Sequence, residues 1–154
     1  MRKTYCIRCA LSAIVLVWSL TSTAAEVRQP IIVGDLEIFY GVMPAEILRA
    51  HPPEHAERTM HGGVPASRNT YHLVVSLFDA TNRARITDAQ VEARVREAGL
   101  TPQTKPLQPM TMAGVVTYGN YFSMTPPGPF RITLDITLPH GGPPVQASFE
   151  HRHR

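Results

Sequence analysis

This 154-residue chain predicts an all-β fold, an immunoglobulin-like β-sandwich of about seven strands following a cleaved leader, with an up-and-down barrel as the alternative. Three observations carry that expectation. Apolar and polar residues alternate with period two in one segment after another. The 14 prolines and 10 glycines gather largely between those segments, where turns need fixed or positive φ. Stretches with a helical period are almost absent, which leaves sheet on sheet as the layer arrangement.

The first 25 residues read as an export signal. Arg2, Lys3 and Arg8 stand without an acidic residue, 10–20 is apolar, and Thr23, Ala24 and Ala25 supply small side chains before a cut at Glu26. The apolar run is shorter than the roughly 20 residues a bilayer-spanning helix requires. A periplasmic or secreted location is therefore expected. Cleavage removes three basic residues, which balances the charge that stands at +3 for the whole chain and takes away the basic excess that nucleic acid or an anionic surface would need. It also removes Cys6 and Cys9, so their Cys-x-x-Cys spacing carries no redox or zinc role in the mature domain.

Beyond the leader, Leu36, Ile38, Tyr40 and Val42 alternate with Glu37, Phe39 and Gly41 as a first, edge strand. Residues 45–50 form at most one helical turn before Pro52 and Pro53 end it. A long polar loop follows over 51–69, and such loops in compact domains are often functional. Residues 70–79, apolar on both faces, suit a central strand. Residues 88–98 contain good helix formers, yet Ala89, Val91, Ala93 and Val95 alternate without a slip against Gln90, Glu92, Arg94 and Arg96, which favours a strand and makes 79–83 a turn. Pro102, Pro106 and Pro109 confine the next segment to an edge or a loop. Strands are expected over 115–124, 130–138 and from 145 onward. The domains read as 1–25 signal peptide, 26–69 N-terminal strand and His/Met/Pro-rich loop, 70–151 sandwich core and 152–154 tail.

The candidate chemistry is metal ligation. His51, His55, Met60 and His61 lie within the long loop and His72 near the start of a strand. Imidazole suits copper, zinc, iron and nickel, and a thioether adds the softness that favours Cu(I). Met110 and Met112, two apart on an extended segment, project to one side. No fixed spacing such as His-Glu-x-x-His is matched, and ordinary surface histidines or core methionines account for the same residue types. His151 and His153 read as solvated tail, with weak Cu(II) or Ni(II) chelation as the other possibility. Enzyme activity is not expected: the mature chain has no thiol, no Gly-x-Ser-x-Gly elbow, no phosphate-cradling loop, no dinucleotide fingerprint and no small-molecule substrate motif.

The runs Tyr71-His72-Leu73-Val74-Val75-Ser76-Leu77-Phe78-Asp79, Ile86-Thr87-Asp88-Ala89-Gln90-Val91-Glu92-Ala93-Arg94-Val95, Met110, Tyr118-Gly119-Asn120-Tyr121-Phe122, Phe130-Arg131-Ile132-Thr133-Leu134 and Val145-Gln146-Ala147-Ser148-Phe149-Glu150 are similar to the YtkA-like and FixH-like exported domains. The resemblance covers some 80 residues, from about Thr70 to His151. It implies an immunoglobulin-like sandwich outside the cytoplasmic membrane, associated with copper handling or copper supply to respiratory oxidases. FixH-like proteins keep a membrane anchor, whereas this leader reads as cleavable, and the loop histidines lie outside the matched region. The expected function is a copper carrier or buffer that delivers to a membrane or periplasmic copper-handling partner. The alternative is a metal-free envelope interaction module.

Overall fold

The computed structural model describes residues 30–50, 52, 56–112 and 114–153. The expected signal peptide, His51 and His55 lie outside the described residues. The elements are β1 (Ile31–Val33), β2 (Leu36–Pro44), α1 (Ala45–Arg49), α2 (Ala56–Thr59), a 3-10 turn (Met60–Gly62), β3 (Thr70–Asp79), β4 (Arg85–Ile86), β5 (Gln90–Glu97), β6 (Gln103–Met112), β7 (Val115–Ser123), β8 (Phe130–Thr137) and β9 (Val145–His151).

All pairings are antiparallel. The strands follow one hydrogen-bonded path, β1-β2-β3-β7-β6-β5-β8-β9, with β4 paired to β3. The nine strands thus make a nearly closed, barrel-like sheet. Two halves of the path face each other across the core, and β6 belongs to both. Its first half pairs with β5, Leu107 opposite Val91 and Gln103 opposite Val95, and its second half pairs with β7, Gln108 opposite Gly119 and Met112 opposite Val115. Each half of β6 therefore has a ladder on one side only, which is why a strand can carry Pro106 and Pro109. Side chains bridge the gap where β6 leaves β7: Asn120 Nδ2 donates to the Pro106 carbonyl at 2.7 Å, Lys105 Nζ to the Tyr121 carbonyl at 2.6 Å, and Gln103 exchanges two hydrogen bonds with the Ser123 backbone.

Alternation determines what is buried. Leu36, Ile38, Leu73, Val75 and Leu77 from β2 and β3 meet Val91, Ala93 and Val95 of β5, Tyr118 and Phe122 of β7 and Ile132, Leu134 and Ile136 of β8. Each such aliphatic side chain contributes roughly 1.5–3 kcal/mol by leaving water. Tyr118 is only 1% exposed. Its hydroxyl accepts from Ala89 N at 2.9 Å and donates to the Ile86 carbonyl at 3.3 Å, so it ties the β4–β5 connection to the opposite face of the core. The 79–83 turn is built by Asp79 Oδ1, which accepts from Thr81 N and Asn82 N at 2.8 and 3.1 Å. Those two bonds lower the Asp79 pKa.

Three expectations need correcting. β2 is not an edge strand, because β1 pairs on its outer side and β3 on its inner side. The 51–69 segment is not wholly irregular, since α2 and the 3-10 turn lie within it. The C-terminal histidines are not solvated: His151 is 4% exposed and pairs with Phe130 in the β8–β9 ladder, and His153 N donates to the Pro127 carbonyl at 3.2 Å.

Candidate metal centre

The side chain of His72 leaves β3 on the face opposite Tyr71 and Leu73, because successive residues of a strand point to opposite sides. Its register partners are Met43 on β2 and Tyr121 on β7. That outer face is covered by a small second cluster of Ala45, Leu48 and Tyr121 with Met43 and Val64 packed against it. Arg49 Nη1 donates to the Pro65 carbonyl, tying α1 to the end of the loop. The result is an imidazole only 1% exposed.

The loop brings His61 onto this imidazole. His61 sits in the left-handed region at φ 56°, a conformation few non-glycine residues adopt, and Gly62 and Gly63 continue at positive φ. This sharp reversal aims the ring inward, with the His61 and His72 ring centroids 5.3 Å apart. Tyr121 completes the set, 4.7 Å from His72 and 5.7 Å from His61 by ring centroids. His61 Nδ1 is 2.8 Å from Gln108 Oε1. With the amide oxygen accepting, the proton resides on Nδ1 and the lone pair on Nε2.

Met110 reaches the same place from β6. A Cβ added to Gly119 would stand 2.8 Å from both His72 Nε2 and Met110 Cε. The glycine thus leaves the space in which thioether and imidazole approach each other. Met110 is 5% exposed.

Buried polar atoms nearly always find a partner, yet His61 Nε2 and both ring nitrogens of His72 have no hydrogen-bond partner among the described residues. Burial, and secondarily the nearby His61, lower the His72 pKa to about 4. The ring is thus neutral at physiological pH and keeps a lone pair for a Lewis acid.

Of the seven sequence candidates, the structure brings together His61, His72 and Met110. Met60 precedes His61 in the same turn and is half-buried. Met112 lies in β6 opposite Val115, and its side chain is not described. Sequence reasoning missed Met43, Gln108, Gly119 and Tyr121. Only the period-two face shared by Met43 and His72 across the β2–β3 register, invisible before the strands are paired, would have pointed to the first of them.

No protein-family model and no curated protein matches the chain. Solved structures do. A copper-bound variant of FetP from uropathogenic Escherichia coli strain F11 superposes with a TM-score of 0.62 at 16% identity, covering 82% of this chain and 95% of FetP. The chain shares its fold. A copper-bound variant of Campylobacter jejuni P19 gives 0.63 at 13% identity, with 82% and 94% covered. A DUF4426-family protein of Pseudomonas aeruginosa PAO1 gives 0.57 at 17% identity, with 82% and 96% covered.

Proposed function

We propose that this protein is an exported copper carrier or buffer whose site is built on His61, His72 and Met110. One observation carries the reading: three buried ring nitrogens without hydrogen-bond partners among the described residues belong to two rings in contact, beside a methionine whose approach a Cβ on Gly119 would block. Two imidazoles and one thioether form a donor set of intermediate softness, which suits copper in either oxidation state and needs no oxidisable thiol. Copper bound to FetP and P19 of the same fold supports the choice of metal.

The chain's own residues have distinct tasks. Gln108 holds the His61 tautomer, α1 and the second cluster keep water from His72, and Met110 supplies the soft donor. His51, His55 and Met60, on the segment that delivers His61, are the proposed exchange ligands through which copper passes to a membrane or periplasmic partner. The role is transport by ligand exchange rather than catalysis. A periplasmic or secreted location follows from the reading of residues 1–25 as a cleaved signal.

Strand order supports an immunoglobulin-like reading of the sheet. Setting aside the short β1 and β4, one half runs β2-β3-β7-β6 and the other β6-β5-β8-β9. Read in chain order, this path can be lettered like the A-B-E-D and C-F-G sheets of immunoglobulin domains, with β6 switching sheets, which favours the immunoglobulin-like reading.

The test is a Cu(I) titration against a competing chelator, with the wild-type protein beside Met110→Leu, His61→Ala and a double variant His51→Ala/His55→Ala. Stoichiometric binding that Met110→Leu and His61→Ala weaken and the double variant largely retains supports the site. Binding unaffected by Met110→Leu and His61→Ala contradicts this site and places copper elsewhere, and no binding by the wild type favours the metal-free interaction module.

A further inference from the structure

The last strand ends in His151-Arg152-His153, two imidazoles separated by one residue, a spacing that puts both on one side of extended chain. Instead of trailing into water, both are held by the core. The His153 ring stacks on Tyr71 at a centroid distance of 3.9 Å and an interplanar angle of 29°. It meets Phe130 edge-on at 5.3 Å and lies 4.7 Å from the His151 ring at 80°. His151 Nε2 and His153 Nδ1 are 3.3 Å apart.

That separation is informative. A divalent ion about 2.0–2.1 Å from each nitrogen, the usual zinc–imidazole distance, would subtend an N–metal–N angle of about 105–110°, which is the tetrahedral value. The same contact accommodates one shared proton in the metal-free protein, and the His153 ring is already clamped by Tyr71 and Phe130. Such preorganisation raises affinity by reducing the ordering cost.

We infer that His151 and His153 form a second metal site, distinct from the His61–His72–Met110 cluster, that takes an imidazole-preferring divalent ion of tetrahedral habit, Zn(II). The two sites are on opposite sides of β3, since Tyr71, which carries His153, and its neighbour His72 point to opposite faces. The two histidines supply two of the four positions of such a site. The inference does not depend on the copper reading, because it concerns other residues and another metal.

Calorimetric titration of Zn(II) into the protein tests it, with His153→Phe and His72→Gln as variants and circular dichroism to compare their folds. Phenylalanine keeps a ring against Tyr71 and Phe130 but removes the donor. The expected result is one Zn(II) equivalent bound by the wild type, retained by His72→Gln and lost by His153→Phe. No binding by the wild type, binding retained by His153→Phe, or loss in His72→Gln overturns the assignment.

Discussion

His61 and His72 place their ring centroids 5.3 Å apart, tilted by 54°, although one belongs to a loop turn and the other to a central strand. The loop accomplishes this with a left-handed histidine followed by two glycines at positive φ, a conformation that costs of order 1–3 kcal/mol at a non-glycine residue.

Gly119 is where the site and the fold compete for space. Gly119→Ala puts a methyl group 2.8 Å from His72 Nε2 and Met110 Cε and 3.1 Å from the Leu73 carbonyl. Overpacking of this kind typically costs about 1–3 kcal/mol. The expected outcome is a lower melting temperature together with loss of tight Cu(I) binding, measured by thermal denaturation and chelator competition on one preparation.

Gln108→Leu removes the acceptor that holds the His61 tautomer. Outer partners of metal-bound histidines are typically worth about 10–100-fold in affinity. Copper affinity should fall by that factor, while urea denaturation of the metal-free protein shifts by less than about 0.5 kcal/mol because the side chain is exposed.

The buried His72 makes stability depend on pH. Its pKa is about 4 in the folded protein against 6.5 ordinarily, so between those values the unfolded chain binds more protons than the folded one. The His72 contribution is fully present above about pH 6.5, declines by up to about 1.4 kcal/mol per pH unit as the pH falls towards 4, and levels off below, roughly 3 kcal/mol in total. Urea midpoints of the metal-free protein between pH 7 and 4 should show this slope, and His72→Gln should flatten it.

Leu134, fully buried between the two halves of the sheet, tests the core independently of the site. Leu134→Ala should destabilise the protein by about 2–5 kcal/mol, read from equilibrium urea unfolding.

Much of the fold was legible because one face of each strand is buried. In 89–96 the unbroken alternation outweighed good helix formers, and Val91, Ala93 and Val95 are indeed core. The prolines of β6 point to an edge or a loop, and each half of that strand has a ladder on one side only. Residue chemistry alone singled out His61, His72 and Met110, but their convergence depends on strand register and on the reversal at His61. Met43 and Tyr121 join His72 only through pairing across β2, β3 and β7, and Gly119 matters through an atom it lacks. The burial of His151 and His153 was misread because nothing local shows that Tyr71 and Phe130 wait to receive a ring.

The most direct measurement is copper K-edge X-ray absorption on the Cu(I)-loaded protein beside Met110→Leu. The account predicts a first shell of imidazole nitrogens plus one sulfur in the wild type, with the sulfur contribution absent from Met110→Leu. A wild-type shell without sulfur, or a sulfur shell that survives in Met110→Leu, would contradict it.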